Sequence, residues 1–157
     1  MRSFAELSGR FAALASPDCQ VDTFGQIDGY DLLRLRLAGE GPTVLLTGGI
    51  HGDEPAGPQA LATFVAARAA QWKSRFSFLV LPCLNPWGYV HDKREDAQGE
   101  DLNRGFERDD LASVDCVRQA LVGQRFVLHH DFHEDWEAAG FYFYEGEKEK
   151  HYISPQV

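Results

Sequence analysis

His51-Gly52-Asp53-Glu54 places an imidazole and a carboxylate two residues apart, just after the glycine pair Gly48-Gly49. Across a strand-to-helix turn, both side chains can address one ion. His133, far along the chain, closes a third apolar segment, FVLHHDF at 126–132, and could supply a remote third ligand. Two close ligands plus one distant ligand suit a catalytic zinc site, which takes three protein ligands and keeps a position open. Two neutral imidazoles and one carboxylate would leave such a site at net +1. That charge favours polarising a carbonyl and acidifying water.

Each motif alone has a plainer meaning. H-x-x-E also describes a surface turn with charges at a helix start. The glycines at 48, 49 and 52 do not make a phosphate loop, because the G-x-x-x-x-G-K-[ST] pattern is absent and Asp53 and Glu54 would repel phosphate. His129, Asp131 and His133 share one strand face by alternation. His129 and His130 read first as satisfied core histidines, and Glu134 and Asp135 as solvated charges. The polar segment 93–106, KREDAQGEDLNRGF, reads either as a solvated loop with local ion pairs or as a source of arginines beside a metal. In the second case one arginine stabilises an oxyanion and another grips a substrate carboxylate through a bidentate fork.

The elements that would position these groups follow from periodicity. Phe4, Leu7, Phe11 and Leu14 predict an opening amphipathic helix, ended by Ser16-Pro17-Asp18. Leu33, Leu35 and Leu37 alternate with arginines, as in a half-exposed strand. VLLTGGI (44–50) and FSFLVL (76–81) read as buried strands. Between them Leu61, Phe64, Val65 and Arg68 fall on a helix with Pro55 near its start. Asn85-Pro86-Trp87-Gly88 reads as a turn, residues to about 108 as a loop, and Leu111, Val114, Val117 and Leu121 as a helix. FVLHHDF and FYFY (141–144) read as strands. Strand–helix alternation predicts an α/β fold with a largely parallel central sheet. Ligands of such sheets bind beyond the carboxyl ends of the strands, where all three polar segments lie.

Taken together, the three segments resemble the zinc carboxypeptidase family, the funnelin-type metallocarboxypeptidases, and its succinylglutamate desuccinylase/aspartoacylase branch. GGIHGDEPAG resembles the strand-then-H-x-x-E turn, NPWGYVHDKREDAQGEDLNRGF the N-P-x-G…D-L-N-R segment, and HHDFHED the third-ligand strand end. The resemblance runs from about residue 43 to 145. It implies a three-layer α/β/α sandwich with a mixed, largely parallel sheet. It implies one zinc ion on His51, Glu54 and His133, transition-state stabilisation by Arg94, and substrate-carboxylate binding by Asn103 and Arg104. The implied activity is hydrolysis of a C-terminal peptide bond by a metal-activated water. Alternatives are deacylation of N-acyl amino acids and a non-catalytic zinc-binding domain. Trp87 and Glu95-Asp96 depart from the family pattern at positions that are not ligands.

The family's general base comes from a strand well after the third ligand. Glu134, Glu137, Glu145 and Glu147 do not match it. The base is therefore unknown and expected beyond Val157, with the 157 residues a single catalytic domain truncated at its C-terminal end.

Composition bounds the partners. The chain is 44% hydrophobic and carries a formal charge of −9, enough apolar residues for one core and the wrong sign for a nucleic-acid backbone or an anionic membrane. Three widely spaced cysteines form no disulfide framework, and no export signal or apolar span is legible, so a reducing, cytoplasmic setting is expected. The expected partner is a peptide or N-acyl amino acid with a free carboxylate. The sequence leaves oligomeric state open.

Overall fold

The computed structural model describes residues 1–108, 110–144 and 146. Its centre is a five-stranded mixed sheet in the order β1-β2-β4-β3-β5. The strands are β1 (Cys19–Ile27), β2 (Tyr30–Leu37), β3 (Thr43–Gly48), β4 (Ser77–Leu81) and β5 (Leu128–Phe132). β1 and β2 form an antiparallel hairpin, and β2 pairs antiparallel with β4. β4, β3 and β5 run parallel, so their carboxyl ends lie on one side. The helices are α1 (Phe4–Ala12), α2 (Ala56–Ala67), α3 (Pro86–His91), α4 (Leu102–Gly105) and α5 (Ala112–Leu121).

Strand alternation divides the core into two layers. Val44, Leu46, Phe78 and Val80 face one side with Phe4, Leu7 and Phe11 of α1 and Leu61 of α2. Leu45, Leu79 and Leu81 face the other with Leu102 of α4 and Val114 and Val117 of α5. Both faces are covered, which is why β3 and β4 carry apolar residues almost without interruption. The three layers match the expected α/β/α sandwich. Among the described residues no helix is long and apolar enough to cross a membrane. The three cysteines are free.

The structure adds one strand and corrects three local readings. β1 is a strand with no expectation behind it. A bulge between Thr23 and Gly25 shifts its register and breaks the alternation that would have marked it. The 85–88 segment is the start of a helix, because Asn85 caps it by accepting from Gly88 N–H at 2.8 Å and Pro86 takes the first helical position. An Asn-Pro pair fits a turn and a helix start equally well. The expected loop to 108 contains α4, capped by Asp101. Residues 141–144 belong to no strand: Phe141 and Tyr144 are exposed, the Phe141 ring lies tilted against Phe143, and Tyr142 meets Tyr144 edge to face.

Candidate metal centre

The parallel strands deliver their polar ends to one place. After β3 the backbone turns through Gly49, whose φ of 60° suits glycine, and brings His51 beneath α3. Gly52 lies against that helix so closely that a Cβ there would fall 2.0 Å from the Gly88 carbonyl carbon. Arg2 braces the turn from outside by donating to the Gly52 carbonyl at 2.9 Å. Glu54 follows just before α2. His133 comes from the residue after β5, which lies beside β3 in the sheet.

His51, Glu54 and His133 each offer a ligand atom, and those atoms lie within 4.8 Å of one another. The two rings lie against each other, and the Glu54 carboxylate bridges their Nδ1 atoms. His51 Nδ1 is 2.7 Å from Oε1, and His133 Nδ1 is 2.8 Å from Oε2. Glu134 N–H also donates to Oε2 at 3.0 Å. Burial pushes the Glu54 pKa up, but the hydrogen bonds from His133 and His51 outweigh it and hold the carboxyl well below its usual range. His133 is the converse: hydrogen bonds to Asp131 and Glu54 raise it to about 10. Without a cation, an imidazolium thus balances the local charge. A divalent ion would replace that proton.

The donor set fits zinc: two imidazole nitrogens and one carboxylate oxygen converge on one volume. His51 Nε2 supports the same reading. It is buried without a hydrogen-bond partner, 3.4 Å from Asp101 Oδ1. With Nδ1 on a metal, Nε2 would carry the proton and face a carboxylate.

Asp101 had no individual role in the sequence reading, yet it organises the second polar segment. Its carboxylate accepts from Asn103 and Arg104 N–H at the start of α4. It also accepts from Arg94 Nε at 3.1 Å and lies 3.5 Å from Arg104 Nε. Burial raises its pKa, and the Arg104 N–H and the Arg94 guanidinium lower it further than that. An aspartate one residue before Leu-Asn-Arg is a helix-cap signal, and that was its legible trace.

Arg94 is half-exposed, with Nη1 3.7 Å from Glu54 Oε1. Its backbone is pinned from below by buried Asn85, whose Nδ2 donates to the carbonyls of Arg94 and Glu95. Arg104 is 85% exposed, so it reaches the cluster only along its edge at Asp101. Asn103 is exposed beside it. The segment is not a plain solvated loop either, because Asp96 is buried and receives the N–H groups of Gln98 and Glu100.

Beyond β5, Glu134 accepts from Ala56 N–H at 2.9 Å, which ties this end of the chain to the start of α2. Glu137 donates its N–H to Asp135. Glu145 and Glu147 lie outside the described residues. The expectation that His129 and His130 are core histidines fails. β5 is an edge strand among the described residues, His129 is exposed, and its Nε2 meets Thr47 Oγ1 at 2.8 Å.

The model of the succinylglutamate desuccinylase/aspartoacylase catalytic domain matches residues 40–151, well over half of the chain. The chain belongs to this family. No curated protein matches it. Among solved structures, members of this fold include a metallo-carboxypeptidase from Burkholderia cenocepacia, with a TM-score of 0.77 and 22% identity over 85% of this chain and 41% of that one. Carboxypeptidase A from Helicoverpa armigera gives 0.71 and 21%, covering 86% of this chain and 46% of that one. A metallo-carboxypeptidase from Pseudomonas aeruginosa, in complex with (2-guanidinoethylmercapto)succinic acid, gives 0.69 and 20%, covering 83% and 38%. The desuccinylase/aspartoacylase-family chain thus spans about two-fifths of the structures it matches, and shares their α/β fold.

Proposed function

We propose that this domain is a zinc-dependent amide hydrolase acting on N-acyl amino acids with a free carboxylate. The observation that carries the reading is the convergence of His51 Nδ1 and His133 Nδ1 on the Glu54 carboxylate, with Arg94 against its edge. His51, Glu54 and His133 would hold one zinc ion. Bound there, zinc supplies Lewis acidity toward the scissile carbonyl and toward water.

Oxyanion stabilisation and substrate binding fall to the chain's own side chains, and the general base stays unassigned. Arg94 is fixed at Nε by Asp101, which leaves its remaining N–H groups for an oxyanion developing beside the cluster. Arg104 is free enough to offer its fork to a substrate carboxylate, with Asn103 as a neutral donor alongside. Asp101 sets the spacing of the two arginines and faces His51 Nε2.

Family membership puts short N-acyl amino acids first. Cleavage of a peptide's C-terminal residue is the second reading, favoured by the metallo-carboxypeptidase structures that share the fold. The two substrates have the same reacting end: an amide whose nitrogen belongs to an amino acid with a free carboxylate. The test is a parallel assay of zinc-loaded protein on N-succinyl or N-acetyl amino acids, on peptides with a free C-terminus, and on the corresponding C-terminal amides. The expected result is chelator-sensitive turnover of the N-acyl amino acids that is lost when the carboxylate is amidated. Turnover indifferent to amidation would contradict the proposed role of Arg104, and faster turnover of peptides would promote the second reading.

A further inference from the structure

Thr47 stands out in β3. It is buried at 3% exposure in the otherwise apolar run VLLTG, where a hydroxyl needs partners. Valine would fill the same space in a strand without that need. Thr47 lies directly across the ladder from Asp131 on β5 and donates to Asp131 Oδ1 at 2.6 Å. The other Asp131 oxygen, Oδ2, is 3.1 Å from His133 Nε2. On the far side, Thr47 Oγ1 meets His129 Nε2 at 2.8 Å.

The directions of these bonds follow from counting protons. A carboxylate only accepts, so the single hydroxyl proton of Thr47 goes to Asp131. Thr47 must then accept from His129, which carries its proton on Nε2. His133 likewise donates its Nε2 proton to the other oxygen of Asp131. A neutral His133 in that arrangement keeps its lone pair on Nδ1, the nitrogen that faces Glu54. Residues 129, 131 and 133 alternate along one strand face, so one register places all three bonds.

We propose that Asp131, oriented by Thr47 and backed by His129, is the positioning residue that makes His133 present Nδ1 to the metal. The inference rests on the metal reading above. It assigns a task to a strand face whose polar residues are otherwise unexplained. It also pairs the two histidines: Asp101, 3.4 Å from His51 Nε2, stands behind His51 as Asp131, 3.1 Å from His133 Nε2, stands behind His133.

The test uses the full chain, zinc titration by calorimetry, and nitrogen-15 correlation spectra of the zinc-loaded histidines. Asp131→Asn should weaken zinc binding by about 10–100-fold, the usual scale for a group behind a ligand. It should also remove the protected Nε2–H signal of His133. Thr47→Val should weaken binding by a smaller factor, and Thr47→Ser should restore it, because only the hydroxyl is needed. Restoration separates positioning from packing, since Ser fills less space than either Thr or Val. Wild-type protein that binds no zinc would overturn the metal reading and this inference together. Wild-type binding with Asp131→Asn within twofold, and an unchanged His133 pattern, would overturn the relay alone.

Discussion

The two halves of the candidate site are built differently. His51 and Glu54 sit in a turn between β3 and α2, where β3 has paired neighbours on both sides and the turn is wedged under α3. Their side chains are 3% and 13% exposed. His133 follows β5, which pairs with β3 alone among the described residues, and it is 37% exposed. The first half is seated by the close backbone packing of its turn against α3. The second is held by hydrogen bonds to Glu54 and Asp131. One site therefore combines a half seated in close backbone packing with a half whose geometry depends on polar partners.

The largest expected effect attacks the closely packed half. Gly52→Ala would drive a Cβ into the Gly88–Tyr89 backbone, which cannot yield as a flexible side chain could. Stability should fall by about 3 kcal/mol, at the upper end for overpacking, as read by chemical denaturation of metal-free protein. An equally drastic loss from His133→Ala would erase the distinction between the halves.

Next comes ligand choice on the polar half. His133→Ala should reduce zinc affinity by more than the roughly 100-fold upper range for groups behind a ligand. His130→Ala should leave affinity nearly unchanged, because His130 packs its ring, tilted, against Phe132 on the other strand face. Equal losses in calorimetry would mean that His133 is not the third ligand.

The polar half should also respond to pH. In metal-free protein the folded-state pKa of His133 is raised to about 10 by Asp131 and Glu54, above an unfolded value near 6.5. Its contribution to stability is complete below about pH 6.5 and is lost as pH rises toward 10. Zinc competes with that proton, so zinc affinity should rise over the same window. Opposite slopes in denaturation and in zinc titration are the expected signature. Parallel slopes would remove His133 from the ligand set.

The smallest structural effect is expected at Arg104. Being 85% exposed, it should cost less than about 0.5 kcal/mol of stability when replaced by alanine. Arg104→Ala should act mainly on substrate KM, whereas Arg94→Ala should lower kcat by roughly 10²–10³. Lysine at position 104 should restore affinity only in part, because a point charge cannot reproduce the fork. Steady-state kinetics on one N-acyl amino acid separates the two arginines.

The same contrast explains what could be read from the sequence. β3, β4, α2 and α5 announce themselves because burial on both sheet faces, or on one helix face, imposes a periodicity. The ends of those elements then locate His51, Glu54 and His133. β1 was hidden by its bulge, and α3 by the double meaning of Asn85-Pro86. Asp101 and Thr47 were hidden for another reason: each meets a residue distant in the chain, His51 and Asp131, and no local spacing encodes such a contact, whereas alternation already put Asp131 on the strand face of His133. The burial of His129 was misjudged because an apolar-looking strand does not reveal whether it has one neighbour or two.

The most direct test of the central claim is X-ray absorption at the zinc edge on the zinc-loaded chain. The account predicts a first shell of nitrogen and oxygen at about 2.0–2.2 Å, with the outer-shell scattering of two imidazoles that falls to one in His133→Ala. A shell containing sulfur, a spectrum without imidazole scattering, or one unchanged by His133→Ala would contradict it.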